Sequence, residues 1–210
     1  MQGKFITFEG IEGSGKSLQL QLLTEELTRR GVPYAVTLEP GGTAFGQELR
    51  QVLLRTDGAP REPIAELLLY LADRYQHLQE VVEPRLKQGI TVISDRYHDA
   101  TLAYQGYARG IGIERIEEIG RLIGVRKPDL TLVFDLEVSV GLQRARSRNQ
   151  ESEMEDLGRF EAENLEFHKR VREGYLQLAR AEPERFAVID ATGLPEEVFR
   201  RVVAVIGERL

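Results

Sequence analysis

Residues Gly10–Ser17 read GIEGSGKS and fit the pattern G-x-x-x-x-G-K-[ST]. Just before them, Phe5-Ile6-Thr7-Phe8 is a short aromatic and β-branched run of the kind a buried strand needs. Just after them, Leu20, Leu23 and Leu27 recur at helical spacing beside Leu18 and Leu22, up to a stop at Gly31. Strand, glycine-rich turn and helix in that order form a phosphate-binding loop, and they commit the chain to an α/β architecture. Gly10, Gly13 and Gly15 let the backbone take angles closed to other residues. Successive N–H groups then point inward at the positive end of the helix and cradle phosphate oxygens. The stretch Gly10, Ile11, Glu12, Gly13, Ser14, Gly15, Lys16 and Ser17 is thus a candidate nucleotide-phosphate site. Lys16 offers an ammonium to the β- and γ-phosphates and Ser17 a hydroxyl to Mg²⁺. The motif alone leaves kinase, GTPase and motor ATPase open.

Apolar runs alternate with longer periodic segments along the rest of the chain. Strands are predicted at Phe5–Glu9, Tyr34–Leu38, Ile90–Ser94, Leu130–Leu136 and Phe186–Ile189. Helices are predicted at Lys16–Arg30, Phe45–Leu54, Pro63–Gln88, Ile113–Ile123, Val138–Arg146, Glu161–Arg180 and Pro195–Arg209. Pro84 should kink or interrupt the third of these. The alternation predicts a three-layer α/β/α fold with a five-stranded parallel sheet, as in P-loop NTPases. No repeat or linker divides it, so residues 1–210 read as one domain. Ligands of such sheets bind beyond the carboxyl ends of the strands, where the chemistry is to be sought.

After the second strand, Glu39-Pro40-Gly41-Gly42-Thr43 reads equally as a plain connection and as a loop passing close to a ligand. Tyr70, Arg74 and His77 share a helix face, which taken alone reads as a core tyrosine and a solvated arginine. After the third strand, Asp95 suits a carboxylate that holds Mg²⁺ through water. Its neighbour Arg96 makes sense if a second phosphate meets the first there. Asp135 competes for the metal role but reads better as a helix cap or a support for the phosphate loop. Tyr104-Gln105-Gly106 reads as a glycine-punctuated loop, in which Gln105 has the amide to read a base edge and Tyr104 can pack on a base or sugar. The segment 144–159, RARSRNQESEMEDLGR, carries Arg144, Arg146, Arg148 and Arg159 with little apolar content. It is either a solvated helix end or a mobile lid that brings guanidinium groups to a transferring phosphoryl.

Composition narrows the field. A net charge of −6 argues against broad nucleic-acid binding, and no apolar run is long enough to cross a membrane. No charged leader followed by an apolar stretch is seen, so no secretion signal is expected. Cysteine is absent, which excludes disulfides and thiolate metal sites and suits the cytoplasm.

Taken in order, FEGIEGSGKS, EPGGT, LLLYLADR, SDRYHDATLAYQGYARGIG, KPDLTLVFDL, RFEAENLEFHKRVREGYLQLA and VIDAT resemble the bacterial thymidylate kinases over essentially the whole chain. The Asp-Arg-Tyr segment followed by AYQG is far more specific than the phosphate loop. The resemblance implies that ATP donates its γ-phosphoryl to dTMP, with Mg²⁺ required, in a cytoplasmic homodimer. It assigns Gly10–Ser17 to ATP. It implies a catalytic set of Lys16, Asp95, Arg96, Arg146 and Arg148, with Ser17 and Asp95 at the metal. Glu12 would accept a hydrogen bond from the deoxyribose 3′-hydroxyl. Arg74 and Arg96 would bind the dTMP phosphate, assisted by Arg50. Tyr70 would stack on thymine, Gln105 read its edge, and Tyr104 crowd the 2′ position. No basic residue lies between Gly10 and Gly15, so the chain resembles the subtype whose extra arginine comes from a lid, residues 144–160. Arg146 and Arg148 are its first candidates and Arg159 the next. Leu38, Ala100 and Leu18 depart from the commoner Arg, Ser and Thr of relatives.

Overall fold

The computed structural model describes residues 3–152, 159–160 and 162–209, with the side chains of 148–152 outside that description. Among the described residues the strands are β1 (Phe5–Glu9), β2 (Tyr34–Leu38), β3 (Thr91–Asp95), β4 (Leu130–Asp135) and β5 (Phe186–Asp190). They form one parallel sheet in the order β2-β3-β1-β4-β5. The helices are α1 (Lys16–Arg29), α2 (Ala44–Leu54), α3 (Pro63–His77), α4 (Glu83–Lys87), α5 (His98–Thr101), α6 (Ile113–Leu122), α7 (Val138–Ser152), α8 (Leu165–Ala181) and α9 (Pro195–Arg209).

Side chains alternate across each strand, and the alternation sorts the two helical layers. Ile6 and Phe8 of β1, with Leu130, Leu132 and Phe134 of β4, pack against Leu23 of α1 and Val198 and Val202 of α9. On the other face Val133 and Phe186 join Leu67 and Leu71 of α3 and Phe167, Val171 and Tyr175 of α8. Each fully buried side chain of this size is worth about 1.5–3 kcal/mol of transfer free energy. Phe8 pairs in register with Asp95, so the phosphate loop and the Asp95-Arg96 corner emerge side by side.

Several sequence expectations are corrected. β3 ends at Asp95, one residue later than predicted, because its ladder with β1 runs to that residue. The long helix expected over Pro63–Gln88 is interrupted, as Pro84 implied, and the interruption is a π-helical segment, Leu78–Val82, before α4 begins. Pro84 has no N–H to give the ladder, and the wider turn before it absorbs the loss. α8 starts at Leu165 rather than Glu161, since Asn164 caps it by accepting from the Phe167 amide at 2.8 Å. Tyr104-Gln105-Gly106 is helical rather than a loop: α5 continues into a π-helical segment, Leu102–Ala108. Gly106 is there for close packing, since a Cβ would lie 2.6 Å from the Ile113 side chain.

Candidate active site

The phosphate loop has the geometry its glycines imply. Gly10, Gly13 and Gly15 have φ of 137°, 70° and 89°. Gly15 precedes α1 with no side-chain cap, so the first amides of the helix remain available to an anion. Gly13 also lies against the backbone of α7, where a Cβ would sit 1.9 Å from the Gly141 carbonyl oxygen. Lys16 folds back over the loop and donates to the carbonyls of Gly10 at 2.9 Å and Ile11 at 2.7 Å. Burial, with Arg96 nearby, pulls its ammonium down to about 8. Ser17 Oγ lies 3.4 Å from Asp95 Oδ2, and neither residue is buried. Asp135 is instead engaged by Arg172 of α8 at 2.6 and 2.9 Å. It does not cap the next helix: Glu137 does, accepting from the Val140 amide at 3.3 Å as well as from Ser139.

Beside the loop opens a cleft of about 210 Å³ whose walls include Glu12, Arg50, Tyr70, Arg74, Arg96 and Gln105. Tyr104 and Ala100 also line it. Arg96 is the non-glycine residue with positive φ, 66°, among those described. That turn sends its guanidinium back to the loop, donating to Gly10 O at 3.1 Å and Glu12 Oε1 at 3.0 Å. Tyr104 donates to the same Glu12 oxygen at 2.5 Å, and Arg96 lies over its ring. Burial opposes the charge of Glu12, yet His168, Arg96, Lys16 and Tyr104 together hold its carboxyl well below the usual carboxylate range.

Arg74 is fully buried, not solvated. It donates to Glu39 Oε2 at 2.9 Å and to Thr101 Oγ1 at 3.0 Å, and it covers the Tyr97 ring. His77, on the same face of α3, meets the other Glu39 oxygen at 2.7 Å. The Glu39–Gly42 turn is therefore part of the cleft. Asp73 accepts from the Gly41 amide at 3.0 Å, and burial with Glu39 nearby pushes its carboxyl up to about 6. Arg50 donates to Pro40 O at 2.8 Å across the same turn.

At the far end Gln105 donates to the buried Glu66 at 2.9 Å. Arg159 pairs with the other Glu66 oxygen at 2.6 Å and donates to Leu53 O at 3.1 Å. This arginine thus stands with Gln105 rather than at the phosphate loop. Its neighbour Phe160 meets the edge of Tyr104 and lines the cleft. Arg146 is exposed on α7, and the side chain of Arg148 lies outside the described residues.

The sequence reading left Glu39 in a turn that could equally be a plain connection or a ligand loop, and it assigned no role to Glu66, Phe160, Gly141, His168 or Tyr175. Glu39 had a signal, an acid at a strand end before the Pro-Gly-Gly turn. The others lie in ordinary helical patterns or beside the lid stretch, and only packing brings them to the cleft.

The family model for thymidylate kinase matches residues 8–202. The chain belongs to the thymidylate kinase family. It is 50% identical over 205 residues to the thymidylate kinase of Pelobacter propionicus, covering 97% of this chain and 94% of that one. It is 49% identical over 208 residues to that of Solidesulfovibrio magneticus, covering 98% and 100%. The crystal structure of thymidylate kinase from Ehrlichia chaffeensis superposes with a TM-score of 0.77 at 31% identity, covering 99% of this chain and all of that one. The amide cradle of the phosphate loop adjoins the cleft, whose walls carry the guanidinium groups of Arg50, Arg74 and Arg96. Among the described residues no helix is long and apolar enough to cross a membrane.

Proposed function

We propose that the two parts of the cleft hold the two substrates of a dTMP kinase with their phosphates facing. The family's reaction moves the γ-phosphoryl of ATP to dTMP, giving dTDP and ADP. A dTMP phosphate oxygen bonds to the γ-phosphorus as the bond to the β–γ bridging oxygen breaks. Such a step needs alignment and positive charge more than covalent help. The observation that carries the reading is Arg96, turned back by a left-handed backbone onto Gly10 and Glu12, where two sets of phosphates would meet.

Lys16 and the loop amides serve ATP. Arg96 and Arg50 serve the acceptor phosphate. Arg74 is already neutralised by Glu39 at 2.9 Å, so it brings little net charge to a phosphate. It offers its remaining N–H groups to the nucleotide's neutral acceptors, on the wall shared with Thr101 and Gln105. Gln105 reads the base edge, Tyr70 stacks on the base, Tyr104 crowds the 2′ position and Glu12 takes the 3′-hydroxyl. Ser17 and Asp95 are hard oxygen donors close enough to share Mg²⁺, which when bound neutralises the β- and γ-phosphates. Among the described residues no cluster of metal-binding side chains competes for it.

Residues 1–210 act as one cytoplasmic domain, with 144–160 as a lid in which Arg146 and Arg148 approach the transferring phosphoryl. The exposed Ile64, Leu68 and Tyr75 on one face of α3, beside Phe45 and Val52 of α2, supply a homodimer surface. Light scattering behind gel filtration checks the dimer. A coupled ADP-release assay over nucleoside monophosphates tests the function. Rapid, Mg²⁺-dependent turnover of dTMP is expected; turnover of UMP, CMP or GMP with none of dTMP overturns the reading.

A further inference from the structure

His168, in the first turns of α8, is fully buried, and neither ring nitrogen has a hydrogen-bond partner among the described residues. Its Nδ1 lies 3.3 Å from Glu12 Oε2. That oxygen is also buried, and at this separation the pair is in close contact without forming a well-aligned hydrogen bond. Two facing polar groups, both desolvated and both unpaired, are unusual enough to need a reason. The chain's other histidines are engaged elsewhere: His77 with Glu39 and Thr37, and His98 beside Arg74.

The other Glu12 oxygen explains the pairing. Oε1 accepts from both Arg96 and Tyr104, so the carboxylate's charge is balanced by a guanidinium that has a second task. When Arg96 turns to the phosphate of the acceptor, Glu12 loses its charged hydrogen-bond donor, and the direct donors left to it are the neutral hydroxyls of Tyr104 and the sugar, with Lys16 acting only at a distance. A buried carboxylate losing its cation needs another donor, and His168 Nδ1 stands a small rotation away.

We propose that His168 is a positioning residue, which takes up Glu12 Oε2 as the acceptor nucleotide draws Arg96 away and so keeps Glu12 on the 3′-hydroxyl. His168 touches neither the transferring phosphoryl nor the base. The inference rests on the assignment of Glu12 to the sugar made above.

The test compares dTMP with its 3′-deoxy analogue in the wild type, His168→Leu and His168→Asn. Asn can place an amide N–H where Nδ1 stands. His168→Leu is expected to raise the KM for dTMP about tenfold, the low end for a hydrogen bond to a charged group, with kcat little changed. His168→Asn should restore most of the loss. With the 3′-deoxy acceptor the wild type and His168→Leu should differ far less. A folded His168→Leu with wild-type KM, or an equal loss with both acceptors, overturns the role of His168. If neither variant folds, ¹⁵N spectra of the wild type decide, since the chain has 3 histidines to assign. The His168 ring signals should move on saturation with dTMP, and unchanged signals overturn the proposal. A wild type that does not phosphorylate dTMP would instead sink the functional reading.

Discussion

Lys16 Nζ and Arg96 Nη1 donate to one shared acceptor, the Gly10 carbonyl oxygen, at 2.9 and 3.1 Å. Two cations resting on one neutral oxygen repel each other, and phosphate is the partner that would relieve both. Burial and this neighbour are why the Lys16 ammonium falls to about 8. The nucleotide's negative charge favours the protonated form and lifts it again. Above a pH of about 8 the free protein has lost this proton, so ATP must bind with proton uptake and its affinity falls as pH rises. Calorimetry of ATP binding in two buffers of different ionisation enthalpy checks this. Buffer-independent heats in that range would remove Lys16 as the titrating group.

Arg96 combines strain with chemistry. Arg96→Ala should lower kcat/KM for dTMP on the order of 100-fold, through loss of charge-assisted hydrogen bonds to phosphate. Arg96→Gly should show the same kinetic loss, because the guanidinium is equally absent. At φ 66° the glycine variant should nevertheless be about 1 kcal/mol more stable than the alanine one. Steady-state kinetics and urea unfolding of the pair separate the two effects. Wild-type kinetics in either variant would make Arg96 structural.

Glu39 holds two buried partners at once, Arg74 at 2.9 Å and His77 at 2.7 Å. Glu39→Ala leaves the guanidinium buried without its counter-charge. We expect a loss of about 3 kcal/mol, a fall in melting temperature of about 10 °C, and weaker dTMP binding. Thermal unfolding together with dTMP titration checks it.

Gly141 of α7 is a case where propensity and packing disagree. Alanine in a helix interior is favoured over glycine by about 1 kcal/mol. Here, however, a Cβ would lie 2.6 Å from the Glu12 carbonyl oxygen and 2.9 Å from Ile11 Cδ1. The clash involves the backbone of the phosphate loop, which cannot move without spoiling the cradle. Gly141→Ala should therefore destabilise the protein by about 1–3 kcal/mol and raise the KM for ATP severalfold. Unfolding curves and ATP kinetics read both.

Gln105 sits in a helix widened by a π turn, its amide anchored to Glu66 at 2.9 Å. Gln105→Ala should relax discrimination among bases more than it slows dTMP. The acceptor panel measures this, and an unchanged profile would take Gln105 out of the base-reading role.

The phosphate loop, the parallel sheet around it and the Asp95-Arg96 corner could all be anticipated from residues 1–210, but to different depths, whereas the strand order came only from the structure. Glycines at set spacing, a lysine and a serine define the loop because the backbone angles they permit are settled within a few residues. The alternation of apolar runs predicts a parallel sheet for a similarly short-range reason: each run buries or exposes itself by its own period. Tyr104 and Gln105 were readable as types and misread as a loop, because a π turn has no period of 3.6 and Gly106 is there for Ile113. The charge states in the cleft had no local trace at all. Arg74 is neutralised by Glu39 across 35 residues, and Glu9 meets Tyr175 across 166. Burial and ion pairing belong to the space between segments, so the composition of a stretch could name the cations of this cleft but not which of them folding would leave free for phosphate.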